Sequence, residues 1–259
     1  MEYTNKYNLH THSYYCGHGE GEIIEYIEKA KSMGLDILGF SEHLPFEGNK
    51  YFRSTRMSYE SRKDYEKDVR DYSSKDIQIL LGYECDYLEE DHSYFEKVKS
   101  EVDYLITGTH FLRKDGRTIS PFSSLLDSSD MKQYQDKVIS AINSGLFSFV
   151  AHPDLYLHSA TWNEETAIIA ENIISAAVKK DIPLEINGRG TNKIVNDEWA
   201  YPKKDFFKLA KAMNAKLIAS TDSHTIREMD NNFLALAPFI KELDVKLVSV
   251  SFQNKLIFK

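Results

Sequence analysis

Residues 37–43 read Ile-Leu-Gly-Phe-Ser-Glu-His, an apolar run of strand length that ends in an acid and an imidazole. Five other segments have the same arrangement, in which a His, Asp or Glu directly follows a short apolar run. They are Asn8-Leu9-His10-Thr11-His12, Gly82-Tyr83-Glu84, Gly108-Thr109-His110, Val150-Ala151-His152-Pro153 and Ser220-Thr221-Asp222-Ser223-His224. Because the carboxyl ends of parallel strands in an α/β barrel lie on one face, we expect these side chains to meet in one pocket.

Seven strand-like runs alternate with segments of helical periodicity. The strands are predicted at Tyr7–His12, Ile37–Ser41, Ile77–Tyr83, Tyr104–Thr109, Phe147–Ala151, Pro183–Asn187 and Leu217–Thr221. Helices are predicted at 22–34, 58–73, 129–145, 203–213 and 226–243, and another begins with a Thr161/Glu164 capping box and ends before Pro183. Parallel neighbours need long crossovers, so the alternation predicts an α/β fold, and the polar strand ends favour a (β/α) barrel over an open sheet.

The composition is that of a globular protein. The chain has 259 residues, of which 42% are hydrophobic, and this excludes intrinsic disorder. Its 32 Lys and Arg against 40 Asp and Glu leave a net charge of −8, which disfavours a general binder of nucleic acid or anionic membranes. No linker, repeat or low-complexity tract interrupts the chain, so we expect a single domain over residues 1–259.

The cysteine content and the N-terminal sequence bear on the compartment. Two cysteines, Cys16 and Cys85, cannot build a disulfide scaffold, which agrees with a reducing environment. The N-terminal sequence has no apolar run that could serve as a signal, and no apolar stretch is long enough to span a bilayer. We therefore expect a cytoplasmic protein without a membrane segment.

Seven of the nine histidines lie at or just past predicted strand ends, and two carboxylates accompany them. The candidate metal ligands are His10, His12, His18, His43, Glu84, His110, His152, Asp222 and His224. Each histidine alone is more simply explained as a hydrogen-bonded residue at a strand end, but the joint pattern favours a metal cluster. Imidazole and carboxylate without thiolate are typical of catalytic rather than structural sites, and nine ligands suffice for two or three zinc, manganese or iron ions.

These motifs resemble those of the polymerase and histidinol phosphatase (PHP) superfamily over nearly the whole chain. The resemblance is carried by His10-Thr-His12, His18, Ser41-Glu42-His43, the strand end at Glu84, Gly108-Thr-His110, Ala151-His152-Pro153-Asp154 and Thr221-Asp222-Ser-His224. In length, and in lacking an attached polymerase, the chain is most similar to stand-alone histidinol-phosphate phosphatases. The resemblance implies a distorted, TIM-like (β/α)7 barrel with the metal site at the carboxyl ends of its strands.

The resemblance also implies how the ligands divide among three ions. The first ion would bind His10, His12, Glu84 and Asp222, and Glu84 would bridge to a second bound by His110 and His152, with His18, His43 and His224 holding the third. Weaker matches to the family are Arg56-Met57 and Glu185-Ile-Asn187.

The chemistry expected of such a centre is phosphate monoester hydrolysis by a hydroxide that bridges the ions. The substrate implied is L-histidinol phosphate, converted to L-histidinol in histidine synthesis. Asp222 and His43 are the candidates for the proton donor to the leaving oxygen. Arg189, Arg56 and Arg113 are the candidates for binding the phosphate, since a guanidinium donates two parallel hydrogen bonds, although each is also explained as a solvated surface residue.

Two other functions stay open on the sequence alone. The same centre could act on another substrate, such as a nucleotide, an oligonucleotide phosphodiester or a phosphotyrosine protein. The acidic charge balance argues against long nucleic acid, so a small phosphorylated substrate is expected. A non-catalytic regulatory or metal-binding module is disfavoured because none of the nine ligands is missing. The sequence does not determine the oligomeric state.

Overall fold

The computed structural model describes residues 5–51, 54–72, 74–122 and 125–259. The strands in these ranges are β1 (Tyr7–Asn8), β2 (Ile37–His43), β3 (Gln78–Cys85), β4 (Tyr104–Thr107), β5 (Leu112–Lys114), β6 (Arg117–Ile119), β7 (Leu184–Asn187), β8 (Ile194–Val195), β9 (Glu198–Trp199), β10 (Leu217–Ser220), β11 (Val250–Phe252) and β12 (Leu256–Phe258). The α-helices are α1 (Ile23–Ser32), α2 (Arg62–Asp71), α3 (His92–Glu101), α4 (Ser128–Ser144), α5 (Glu164–Lys180), α6 (Lys204–Ala212) and α7 (Ile226–Leu243). None of the helices in these ranges combines the length and apolar character needed to cross a bilayer.

A curled parallel sheet forms the centre of the fold. β1, β2, β3 and β4 pair in chain order, and β7 pairs with β10. Val150 connects the two parts, because it pairs with Thr107 on one side and with Leu184 on the other. A further parallel bridge between Thr11 and Ser223 joins the end of β10 to the end of β1. The strands thus form a distorted barrel, which confirms the predicted fold class.

Tyr104 seals the interior of the barrel below the polar strand ends. Its hydroxyl lies 2.9 Å from the Leu9 carbonyl oxygen and 3.0 Å from that of Phe40. Its ring lies directly against Gly39 and Gly82, where a Cβ atom would collide with it. Because the interior is closed there by apolar packing, the polar groups above it can form a separate site at the carboxyl ends of the strands.

The β11–β12 hairpin covers the apolar cluster around Tyr104. This cluster also includes Leu80, Ile106, Phe149 and Ile218, all of them buried. Val250, Phe252, Leu256 and Phe258 of the hairpin pack against it. The larger apolar core lies between the barrel and the helices, since the buried faces of all seven described helices contribute to it. Burial of this apolar surface is what holds the strand ends at fixed distances from one another.

The predicted helices are found with shifted ends, and three details differ. The capping box of α5 is formed by Asn163 and Thr166, so the predicted Thr161/Glu164 box is wrong: the Asn163 side chain accepts from Thr166 N at 3.0 Å. The predicted strand at 147–151 is hydrogen-bonded through its backbone to β4 on one side and to Pro183 and Glu185 on the other, but Val150 alone forms bridges, so no continuous ladder results. Helix α3 and the antiparallel hairpins β5–β6, β8–β9 and β11–β12 were not predicted.

Candidate metal centre

The polar strand ends converge at one end of the barrel. His43 and Glu84 lie at the ends of β2 and β3, and the other predicted ligands follow β1, β4, Val150 and β10, except that His18 follows a 3₁₀ turn at Tyr14–Cys16. His10 and His12 are fully buried, and His152 and Glu84 are 1% exposed. Side chains from both ends of the sequence therefore share one buried cluster.

Glu84 lies at the centre of this cluster. Its Oε1 is 2.8 Å from His152 Nε2 and 3.1 Å from His110 Nε2. Its Oε2 is 3.3 Å from His10 Nε2 and 3.4 Å from His12 Nε2. Burial opposes ionisation of this carboxyl, but the surrounding imidazoles hold its pKa well below the usual value. Oε2 also lies 3.1 Å from His43 Nδ1, so each oxygen of one carboxylate faces a different group of histidines, which is the arrangement of a bridging ligand.

The donor atoms of the cluster fit divalent cations. Asp222 Oδ1 lies 3.6 Å from His10 Nε2 and 3.4 Å from His12 Nε2, and these two nitrogens are 3.1 Å apart. Glu84 Oε2 and His224 Nε2 are buried and have no hydrogen-bond partner among the described atoms. Such atoms are costly to bury alone, and a cation would satisfy them. The cluster therefore has the composition and the unpaired donors of a divalent-metal site.

Two further carboxylates orient the imidazoles. Glu185 Oε1 lies 2.9 Å from His10 Nδ1, and Asp86 Oδ2 lies 3.0 Å from His110 Nδ1. A hydrogen bond at Nδ1 leaves Nε2 of each ring as the atom that faces Glu84, and such partners are common behind metal-ligating histidines. The prediction missed Asp86, although its position two residues after Glu84 places it on the same side of the chain.

A cavity of about 400 Å³ opens over the cluster. Glu84 and Asp222 lie at its base, and Phe111 and Phe122 form part of its wall. Protein pockets for small ligands have volumes of roughly 300–1,000 Å³. The site can therefore admit a small molecule to the predicted metal ligands.

The three predicted arginines have different surroundings. Arg56 lines the cavity, but its guanidinium bonds to the Leu44 carbonyl and to Asp86. Arg113 lies in a neighbouring cavity, where it donates to Thr118 at 2.8 Å. Arg189 lines the cavity above the cluster, and its Nη1 is buried without a hydrogen bond among the described atoms. The structure thus favours Arg189 for contact with a ligand in this cavity.

Comparison with known proteins agrees with the motifs and the fold. The family model for the PHP domain matches residues 8–189. The chain belongs to the PHP family. The match ends before Asp222 and His224, which the structure places beside the other members of the cluster.

Two curated relatives of this PHP protein cover most of its length. One, named "Probable histidinol-phosphatase", comes from Deinococcus radiodurans, and it is 26% identical over 95% of this chain and 96% of its own length. Another, named "Probable phosphatase", comes from Clostridium acetobutylicum, with 27% identity over 84% of this chain and 78% of its own.

Two solved structures share the fold. The first, from Listeria monocytogenes and assigned as a histidinol phosphatase, has a TM-score of 0.77 at 21% identity and covers 88% of this chain and 99% of its own. The second is a histidinol phosphate phosphatase from Lactococcus lactis, complexed with zinc, L-histidinol and phosphate. Its TM-score is 0.71 at 17% identity, over 98% of this chain and 99% of its own. At these identities the likeness shows a common fold.

The outer side of the PHP centre is formed by His18, His43 and His224. The ring centroid of His18 lies 5.6 Å from that of His43 and 4.4 Å from that of His224. Burial lowers the pKa of His43 and His224 well below the usual value, and partial burial lowers the pKa of His18, which stays exposed. All three are thus favoured as neutral imidazoles able to bind metal. Groups of three donors within 4.8 Å of one another include His12–His43–His224 and Cys16–His18–His224. The ligand set implied for the third ion stays a prediction, and Cys16 is a donor that it did not contain.

Proposed function

We propose that this PHP protein hydrolyses phosphate monoesters and that its substrate is L-histidinol phosphate, which it converts to L-histidinol in histidine biosynthesis. The observation that carries the proposal is the small cavity whose base is the cluster around Glu84 and whose side includes Arg189. The substrate is supported by the printed name of the Deinococcus radiodurans relative and by the complex of the Lactococcus lactis protein. We also propose that residues 1–259 act as one domain.

The proposed centre holds two to three divalent ions, which would be zinc, manganese or iron. His10, His12, Glu84 and Asp222 would hold one ion, His110 and His152 would share Glu84 for a second, and His18, His43 and His224 would face a third. When bound, such ions lower the pKa of water toward neutrality and neutralise charge on phosphoryl oxygens.

The protein's own residues would bind the substrate and carry its proton. Arg189 would donate to phosphoryl oxygens from the side of the cavity, with its guanidinium nitrogen Nη1 available for a hydrogen bond. Asp222 lies at the base of the cavity, and its Oδ2 accepts from Asn187 at 3.1 Å, while its Oδ1 faces the ring nitrogens of His10 and His12. We assign proton transfer to the leaving oxygen to Asp222. Burial opposes its ionisation, but His10, His12 and Arg189 lower its pKa, so its carboxylate would first accept the proton that it later passes on. Burial lowers the pKa of His43 well below its usual value, so a neutral His43 suits a ligand better than a proton donor.

The size of the cavity favours a small monoester over a macromolecule. Its aromatic residues Phe111 and Phe122 stand over His110, with the Phe122 ring stacked at 5.6 Å from the His110 ring. A wall of this kind limits the space beside the phosphate to a group such as an imidazole with a short chain. Oligonucleotides and phosphotyrosine proteins would need a more open groove.

The substrate is tested by a steady-state comparison on the metal-loaded protein. The panel is L-histidinol phosphate, an aryl phosphate, a phosphotyrosine peptide and a dinucleotide. We expect kcat/KM for histidinol phosphate to be at least about tenfold the next value, because the cavity walls discriminate by shape. An equal value for the aryl phosphate would refute the substrate but not the phosphatase activity. Turnover of the dinucleotide alone would make the protein a phosphodiesterase, and no turnover would favour a regulatory module.

Changing Arg189 to alanine is expected to raise KM about tenfold to a hundredfold with a smaller effect on kcat. Hydrogen bonds to charged groups contribute about 1.5–3 kcal/mol, and Arg189 binds the phosphate before as well as during the reaction. The measurement is the full dependence of rate on substrate concentration. Arg113→Ala, in the neighbouring cavity, is the matched control and should leave KM within about twofold. A larger effect of Arg113→Ala than of Arg189→Ala would reverse the assignment.

A further inference from the structure

Cys16 lies beside the outer histidines of the centre. Its Sγ and the ring nitrogens of His18 and His224 form a group of three donors that all lie within 4.8 Å of one another. The cysteine is fully buried, on the 3₁₀ turn Tyr14–Cys16 that precedes His18. The other cysteine, Cys85, follows Glu84 directly, yet it belongs to none of the donor groups found in the described ranges. Cys16 therefore differs from Cys85 in its position beside two possible metal ligands, His18 and His224.

The two histidines present ring nitrogens that are available for a ligand. His224 is 4% exposed, its Nδ1 lies 3.1 Å from the Asp222 carbonyl oxygen, and its Nε2 is buried without a hydrogen-bond partner among the described atoms. His18 Nδ1 lies 3.3 Å from the Cys16 carbonyl oxygen, which leaves its Nε2 for another partner. An unpaired, buried imidazole nitrogen next to a thiol indicates a missing ligand such as a cation.

The loop after Cys16 holds the sulfur in a fixed place. Gly19 donates its backbone N–H to Sγ at 3.1 Å, and the Cys16 S–H donates to the Ser13 carbonyl oxygen at 3.2 Å. A Cβ atom at position 19 would lie 3.0 Å from the sulfur, so glycine permits this close approach. An N–H donated to sulfur stabilises negative charge on it, as in protein metal–thiolate sites. In the metal-free protein the loop therefore holds a thiol, whose pKa burial raises to about 12, and a cation would have to replace its proton.

We propose that Cys16 supplies a thiolate ligand, together with His18 and His224, to the outermost cation of this centre. The cation would replace the S–H proton, which would leave to solvent; the hydrogen bond to the Ser13 carbonyl oxygen would be lost, and Gly19 would keep its hydrogen bond to the sulfur. Thiolate is a soft ligand, so this position selects zinc over manganese, whereas the imidazole and carboxylate positions around Glu84 accept either. The inference rests on the proposed metal centre and is independent of the substrate.

Cobalt substitution tests this ligand without reference to activity. The metal-free protein is loaded with Co²⁺, and the near-ultraviolet absorption is recorded, where cobalt bound to thiolate gives a charge-transfer band that imidazole and carboxylate do not. The band is expected in the unsubstituted protein, lost in Cys16→Ser and retained in Cys85→Ser. Serine can keep the hydrogen bonds to Gly19 and Ser13, and the melting temperature of each variant checks that it is folded. Zinc bound per chain should fall by about one ion in Cys16→Ser only.

X-ray absorption at the zinc edge gives a second readout that needs no variant. The zinc-loaded protein should show a sulfur neighbour at about 2.3 Å from zinc. Cobalt binding without a charge-transfer band, or zinc with only nitrogen and oxygen neighbours, would overturn the thiolate while leaving the other ligands in place. A band lost in Cys85→Ser and retained in Cys16→Ser would also overturn it. A protein that binds neither cobalt nor zinc would overturn the metal centre of the proposed function as well.

Discussion

Replacing Glu84 with glutamine is expected to lower kcat/KM by more than about a hundredfold and to reduce the bound metal. Loss of a hydrogen-bond partner behind a metal ligand costs about 10–100-fold, and a bridging ligand should cost more. The carboxylate places one oxygen toward His110 and His152 and the other toward His10, His12 and His43. An amide would turn an N–H₂ group toward one of these two groups of histidines. Kinetics and metal content, measured on the same preparation, check this result.

Glu185→Gln is the matched control for Glu84. Glu185 is also fully buried in the cluster, but it contacts His10 Nδ1 at 2.9 Å and the backbone N–H of His152 rather than a metal position. The control variant should retain metal and lose about 10–100-fold in activity. Melting temperatures of the metal-free variants separate misfolding from loss of ligation. Full metal content in Glu84→Gln would show that this carboxylate does not bridge.

The strand ends were predictable because buried strands consist mainly of apolar residues, which can be recognised in the sequence. β2 is buried over Ile37–Glu42, and strands of a parallel sheet covered on both faces appear as continuous apolar runs. The barrel then brings together the polar residues that directly follow those strands. The site could therefore be predicted without knowing the conformation of the loops. His18 shows where this reasoning stops, since it was counted among the strand-end histidines but follows a 3₁₀ turn at Tyr14–Cys16.

Pairing and short elements were less predictable. The run Phe147–Ala151 was predicted as a strand, and its backbone hydrogen-bonds to β4 on one side and to Pro183 and Glu185 on the other, but its partners could not be deduced from its composition. Helix α3 was missed because its buried apolar residues are only Phe95 and Val98, too few to establish a helical period. The α5 cap was placed at the wrong residue because Thr161 and Asn163 both have the side-chain chemistry of an N-cap.

Partners of charged side chains could not be deduced from the sequence. Arg56 and Arg189 both line the cavity, yet Arg56 is held by Asp86 at 2.6 Å, whereas Arg189 Nη1 lies 3.5 Å from Glu228 without a hydrogen bond. A guanidinium looks the same in the sequence whether it is a structural anchor or a ligand contact. Only the tertiary contacts distinguish the two arginines. The role proposed for Cys16 likewise depends on its position beside His18 in the folded chain.

Removing the divalent ions with a chelator is expected to bring hydrolysis to background and to lower the melting temperature by about 5–10 °C. Without a cation, Glu84 Oε2 and Asp222 Oδ1 face the ring nitrogens of His10 and His12 at 3.3–3.6 Å, and buried donors remain unpaired. A ligand present at about a hundred times its dissociation constant stabilises the folded state by about 2.7 kcal/mol, which corresponds to a shift of this size. Activity and melting temperature are followed during re-addition of zinc and of manganese.

Activity and melting temperature should recover together, because the same ions would stabilise the ligand cluster and activate water. Glu84→Gln serves as the control, since a variant that has already lost metal should show little further change in melting temperature on chelation. Recovery of stability with either metal, but of full activity with zinc alone, would agree with a thiolate at the outer position, because manganese binds sulfur poorly. Unchanged activity in a preparation shown by elemental analysis to be free of metal would refute metal-dependent hydrolysis, and with it the role assigned to the cluster around Glu84.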